Sequence, residues 1–280
     1  MGFFGKIRNL FARKKAPALK LGLALGSGGA KGMAHLGALK AFEEEGIRFQ
    51  IVTGTSIGSI AGALYAKGYT AEDMTQVLQN LNIKEFSKNL KPFADMAFAE
   101  RFLETYLEGD ISSLSLPFAA WATDTETNEG VLLNEGKIAR VLCASSAMPP
   151  FFRAVKIGDK RLADGAYTNA IPADICKEMG ADFVIGCDLS AFMPPEEEKG
   201  MFSRLLGSAI SAFVSLRTKE YSKTRGYEAC DIMLRPNLSG FRAIDVSRKA
   251  MDAMFELGYA EAVSRMEEIK SALKEKGFAI

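Results

Sequence analysis

The sequence predicts an α/β fold, a mainly parallel sheet covered by helices on both faces. Three observations predict it. Short apolar runs at residues 19–25, 49–52, 118–122, 131–133, 183–189 and 232–234 alternate with segments of helical apolar spacing, the pattern of strands joined by crossover helices. Glycine-dense turns join the first two runs to the helices after them, and in such sheets the loops at strand C-termini hold the site. Of 280 residues 48% are apolar, which is enough for a sizeable core. With no internal repeat, residues 19–280 are expected to form a single domain, its core about 19–240 and its helical closure 241–280.

Residues 1–20 carry six basic side chains and no acid, which leaves 29 basic against 34 acidic, a net −5, for the remainder. A mildly acidic body argues against nucleic-acid binding. Phe3, Phe4, Ile7, Leu10 and Phe11 recur at helical spacing, with Lys6, Arg8, Arg13, Lys14 and Lys15 between or after them. Residues 1–18 therefore read as a basic amphipathic extension. It suits peripheral membrane contact through residues 1–15, or docking on the domain as a terminal extension. No apolar run approaches the ~20 residues needed to span a bilayer, and Lys6 and Arg8 interrupt any signal-peptide pattern. Cys143, Cys176, Cys187 and Cys230 form no C-x-x-C pair, so neither a zinc site nor a disulfide framework is expected. Reduced thiols and a cytoplasmic location are.

The first strand runs into Gly26-Ser27-Gly28-Gly29-Ala30-Lys31-Gly32, after which residues 33–45 read as a helix. Glycines here let backbone N–H groups approach an anion or a carbonyl oxygen. A dinucleotide fingerprint would need glycine where Lys31 stands, and a P-loop would need Gly-Lys-Ser/Thr. An oxyanion hole fits better, at ~3–4 kcal/mol per donor. Gly54-Thr55-Ser56-Ile57-Gly58 follows, between the run 49–52 and a small-residue helix at 59–66. Gly54 and Gly58 flank a sharp turn where a Cβ would strike a neighbouring strand or helix. The Ser56 hydroxyl then stands at a helix head, whose N–H groups favour developing negative charge. An acyl-transfer nucleophile requires this; the alternative is a plain Gly/Ser turn.

Residues 71–107 read as helices broken near Asn82 and Pro92, with Phe86, Phe93, Phe98 and Phe102 as core aromatics or a cap over an acyl pocket. A hairpin is expected at 125–130, Trp121 as a core residue, and a helix at 136–147 closed by Met148-Pro149-Pro150. Asp164-Gly165-Ala166 follows a strand end and by default is a turn. Its interest comes from the histidine count. His35 is the only histidine; it follows the glycine loop and precedes the serine, unlike the Ser-Asp-His order of α/β-hydrolases, and reads as a helix residue lining the loop rather than a base. A carboxylate must then act on the serine directly, and Asp164 is the best-placed candidate. Further on, 173–179 reads as a helix, 194–198 as an exposed loop, and 201–219 as a core helix or, alternatively, a mobile lid. Residues 246–273 read as a closing helix or pair with Met251, Met254, Phe255 and Leu257 inward.

Taken together, four ordered stretches resemble the patatin-like phospholipase family over roughly residues 19–240. They are the glycine loop with its basic residue and Ala34-His35-Leu36-Gly37, the serine motif 54–58, Ala144-Ser145-Ser146-Ala147-Met148-Pro149, and Asp164-Gly165-Ala166. The resemblance implies a three-layer α/β/α fold, a Ser-Asp dyad without histidine, and a lipid acyl ester as substrate, with no metal or organic cofactor. By position it implies Ser56 as nucleophile and Asp164 as base. Gly28, Gly29 and Ala30, followed by Lys31 and Gly32, then form the oxyanion and substrate loop, Gly54 and Gly58 the elbow, and Gly165 and Ala166 the dyad turn. Three positions depart from the common pattern: Ser27 for glycine, Lys31 for arginine, Ala166 for glycine. Lysine lacks arginine's planar fork. The departures at Ser27 and Lys31 keep a rival open, a patatin-fold lipid-binding or regulatory protein with little turnover.

Overall fold

A computed structural model describes residues 18–80, 93–190 and 221–280. The N-terminal helix pattern, Phe86 and the breaks near Asn82 and Pro92, the 194–198 loop and the 201–219 segment lie outside the described residues. Strand β1 (Leu21–Leu25) passes through a 3-10 turn (Gly29–Gly32) into helix α1 (Met33–Glu44), and β2 (Ile51–Thr55) into α2 (Ile57–Lys67). Helices α3 (Ala71–Gln79) and α4 (Ala97–Tyr106) precede β3 (Phe118–Asp124), β4 (Gly130–Leu133) and α5 (Ile138–Ser146). Next come β5 (Val155–Ile157), β6 (Lys160–Asp164), α6 (Ala173–Glu178), β7 (Phe183–Cys187), α7 (Tyr221–Ala229) and β8 (Ile232–Leu234). The chain closes with a helix pair, α8 (Arg248–Ser264) and α9 (Met266–Lys276).

Among the described residues the strands form one sheet in the order β5-β6-β3-β2-β1-β7-β8, with β4 also on β3. From β3 to β8 the pairing is parallel; β4, β5 and β6 add antiparallel pairs. Strand β5, only Val155-Lys156-Ile157, was too short to stand out in the sequence. Side chains alternate across the sheet. Leu21, Leu23 and Leu25 enter the large core with α1 residues such as Leu36 and Leu39. Ala24 enters a smaller core on the opposite face, with Ala173 and Cys176 of α6 and the half-buried Tyr227 of α7. Helices therefore cover both faces, and the fold is three-layered α/β/α.

Helix α8 lies against α1 backbone to backbone. A Cβ on Gly258 would meet the Ala34 carbonyl, and one on Gly37 the Phe255 carbonyl. Met251 and Met254 are buried there, as their spacing predicts, while Phe255 and Leu257 are half-buried.

Strand β3 brings the site together. Ala120 pairs with Gly54 and with Leu133, and Ala122 with Asp164 and with Val131. Because β4 holds one edge, β2 and β6 share the other, meeting head to head. Strand β2 ends at Thr55 beside Trp121, and β6 ends at Asp164 beside Ala122. At ~3.3 Å per strand residue, two turns more than a hundred positions apart in the chain are thereby neighbours.

Candidate active site

Ser56 sits between β2 and α2 with φ 54 and ψ −126. A left-handed φ on a non-glycine residue is strained, by roughly 1–3 kcal/mol, and persists only where its surroundings hold it. Here they do. The Ser56 amide donates to Ser145 Oγ at 3.0 Å, and its carbonyl accepts from Ser59 Oγ at 2.6 Å and from the Ser59 amide at 2.8 Å. The glycines on either side are required. A Cβ on Gly54 would meet the Gly58 carbonyl, and one on Gly58 would meet the carbonyls of Leu25 and Gly26. Ser56 is 7% exposed.

Asp164 ends β6 and is 1% exposed. Its amide donates to Ala147 O at 2.9 Å, its carbonyl accepts from Thr123 Oγ1 at 3.0 Å, and Oδ1 accepts from the Ala166 amide at 2.9 Å. Burial pushes the carboxyl up to about 6, and the Ala166 amide and the Ser56 hydroxyl draw it back down. Among the described residues Oδ2 has no hydrogen-bond partner. Gly165 admits no side chain, because a Cβ would meet the Trp121 carbonyl. Ala166 is not among the positive-φ residues, so alanine in place of glycine brings no backbone strain.

The glycine loop lies directly against the serine turn, since a Cβ on Gly32 would meet the Ile57 side chain. Its amides are mostly taken. Gly26 donates to Cys187 O and Ser27 to Ala170 O, both at 3.0 Å; Ala30 donates to Ala243 O at 2.7 Å, and Lys31 to Gly28 O at 3.3 Å. Ahead of the 3-10 turn and at its first residue, the amides of Gly28 and Gly29 have no partner among the described residues. The expected donor set 28–30 is therefore reduced, because Ala30 is engaged by a segment more than two hundred positions downstream. Gly29 has φ 59, and a Cβ there would meet that same Ala243. Ser27 needs no glycine freedom, being absent from the positive-φ residues. Lys31 is buried, and burial draws its ammonium below the usual lysine range while the Asp245 charge opposes this.

His35 is fully buried, with Nε2 2.8 Å from Gly26 O. A carbonyl only accepts, so Nε2 carries the proton, and Nδ1 has no partner among the described residues. Burial lowers its pKa to about 4. This histidine is a neutral anchor for the first loop residue, in keeping with its reading as a helix residue lining the loop. Sequence reasoning missed Ser145, Thr123, Trp121 and Ala243 as neighbours of the site. Ser145 lay inside a recognised motif; the other three carried no local signal. No group of His, Cys, Asp or Glu suited to a metal ion occurs among the described residues, and none of their helices is long and apolar enough to cross a membrane.

Fold and site together define a three-layer α/β protein that turns a strained serine toward a buried carboxylate beside a glycine loop. The family model described as patatin-like phospholipase matches residues 23–177, and the chain belongs to that family. Human patatin-like phospholipase domain-containing protein 6 is 34% identical over 276 residues, 85% of this chain and 20% of the relative. Lysophospholipase nte1 of Aspergillus fumigatus is 25% identical over 286 residues, 90% of this chain and 18% of the relative. The chain thus spans about a fifth of the length of the curated relatives it matches. Among solved structures, VipD from Legionella pneumophila aligns with TM-score 0.55 and 15% identity, over 90% of this chain and 67% of that one. Human GIVD cytosolic phospholipase A2 aligns with TM-score 0.55 and 11% identity, over 92% and 60%. At such identities the likeness is one of fold.

Proposed function

We propose that residues 19–280 act as one serine hydrolase domain cleaving carboxylic esters of lipids, with Ser56 as nucleophile and Asp164 as its base. The observation that carries this is a strained serine facing a carboxyl whose pKa is pushed up to about 6, in a chain whose one histidine is committed to the Gly26 carbonyl. Raising a carboxylate's basicity narrows the gap to the serine hydroxyl. Asp164 accepts the Ser56 proton as Oγ attacks the ester carbonyl carbon. The oxyanion is held by the Gly28 and Gly29 amides, at ~3–4 kcal/mol per donor. Collapse breaks the ester C–O bond, and Asp164 returns the proton to the departing alcohol. Water, deprotonated by Asp164, then attacks the acyl carbon; the bond to Ser56 Oγ breaks, Asp164 returns the proton to Oγ, and the fatty acid leaves. The relatives' names, phospholipase and lysophospholipase, support a lipid ester as the substrate class.

Incubation with a fluorophosphonate probe, followed by peptide mass spectrometry, tests the assignment: label is expected on Ser56. An unlabelled Ser56 with retained lipid binding favours the non-catalytic rival. That rival loses one of its motives here, since Ser27 occupies a position without positive φ.

The pH profile follows from the carboxyl. Only the ionised form accepts a proton, so log kcat/KM is expected to rise with pH, bend at about 6 and stay level into the alkaline range. A profile flat from pH 4 to 8 excludes Asp164 as the base.

A further inference from the structure

Strands β2 and β6 end against each other on one edge of β3 without pairing to each other. The ladders on β3 bring the two strand ends together but stop at Thr55 and Asp164, so the spacing of the turns beyond them is fixed in detail by other contacts. We infer that Ser145, Trp121, Thr168 and Thr123 form a positioning network that sets this spacing, an inference that rests on the hydrolase reading above. The Ser56 amide lies past the end of the β2–β3 ladder and ahead of α2, so neither element supplies its acceptor. Ser145, itself fully buried on the last turn of α5, takes it on Oγ at 3.0 Å and donates its own hydrogen to Trp121 O at 2.7 Å. From the same tryptophan the indole Nε1 donates to Thr168 Oγ1 at 3.0 Å. Thr168 Oγ1 lies 2.9 Å from Thr123 Oγ1, which donates to Asp164 O at 3.0 Å.

The ends of this second run have no choice of direction. An indole N–H only donates and a carbonyl only accepts, so protons point from Trp121 through Thr168 and Thr123 to Asp164. Gly165 O also lies within reach of the Thr168 hydroxyl, farther off at 3.4 Å. Trp121 therefore grips the serine turn through its carbonyl and the aspartate turn through its ring. Buried networks of this kind, fully satisfied, hold a single geometry. A nucleophile and base held in register are worth far more in rate than in stability, because small displacements cost large factors in turnover.

The test uses the full chain, measuring kcat, KM, fluorophosphonate labelling rate and Tm. Ser145→Ala is expected to lower kcat and labelling by about a hundredfold, with KM changed less than about threefold. Thr123→Val keeps the shape and removes the hydroxyl, for a loss of about tenfold; Thr123→Ser keeps the hydroxyl and is expected to recover most of it. Thr53→Val is the control. It removes a comparable buried bond, Thr53 Oγ1 to Pro172 O at 2.8 Å, outside the network, and is expected to lower Tm while leaving kcat in place. Should Ser145→Ala fail to fold, the two Thr123 variants decide the matter. The inference is overturned if Thr123→Ser is as impaired as Thr123→Val, or if network variants lose no more kcat than Thr53→Val at equal loss of Tm. If the unsubstituted chain neither turns over esters nor labels, the hydrolase reading itself has failed and this inference falls with it.

Discussion

Asp164→Asn is expected to lose ester turnover by about 10⁴-fold and, at pH 8, to unfold at a higher temperature than the parent chain. Both effects follow from one buried carboxyl. Its folded pKa of about 6 stands above the ordinary 3.8, so between those values the folded state binds the proton that the unfolded chain has lost. Stability from this group is complete below pH 3.8 and is lost as pH rises through about 6. Above that, the folded state carries an ionised group in a site that disfavours it, at a cost on the order of 2–3 kcal/mol. Asparagine is neutral, keeps an oxygen for the Ala166 amide, and cannot take a proton from Ser56. The stability gain should therefore vanish near pH 4 while the loss of turnover does not recover. His35 titrates in the opposite sense, since its folded pKa near 4 lies below the ordinary 6.5. Its contribution is lost as pH falls from 6.5 to about 4, and comparing the two chains at equal pH cancels it. Ser56→Ala is expected to lose turnover equally without the gain in stability. Undiminished activity in either variant, or an Asp164→Asn chain no more stable at pH 8, removes the base assignment.

What the sequence made legible was whatever depends on local pattern. The run 183–189 became a strand over 183–187, and the helix at 138–146 stops at the Met-Pro-Pro segment that cannot continue it. The serine turn could be read because its glycines serve a steric need only residues apart: the Gly54 Cβ would strike the Gly58 carbonyl. The occupancy of the glycine loop's amides was a different matter. Whether Ala30 offers its amide depends on Ala243, and nothing in the residues around either position signals their contact. The same holds for Trp121. A lone tryptophan in an apolar run reads as core, and here its ring does pack on Gly130. Its second role, bridging Ser145 and Thr168, arises only because β6 takes up the edge of β3 that β2 vacates. The departures at Ser27 and Ala166 likewise needed backbone angles to interpret.

Gly58→Ala is expected to destabilise the chain by about 3 kcal/mol or more, the upper range for overpacking a filled interior, and to cut Ser56 labelling of whatever remains folded. The added methyl would overlap the carbonyl oxygens of Leu25 and Gly26. Both are backbone atoms, so no rotamer change relieves the contact. Leu25 pairs with Gly54 on one side and Cys187 on the other, so β1 cannot retreat without breaking its parallel ladders. Helix α2 must lift instead. That lifts the residue preceding it, Ser56, away from Gly28 and Gly29, and separates the nucleophile from the amides proposed to hold the oxyanion; a shift of about 1 Å is enough for a hundredfold loss. Gly240→Ala is the matched control, since nothing lies within 4 Å of its added Cβ and its φ is not positive, and it should change stability by less than about 0.5 kcal/mol. Urea unfolding and labelling kinetics on the two variants separate a steric need at residue 58 from a general intolerance of side chains at glycine positions. A Gly58→Ala chain as stable and as quickly labelled as Gly240→Ala would mean that the serine turn and the glycine loop do not bear on each other.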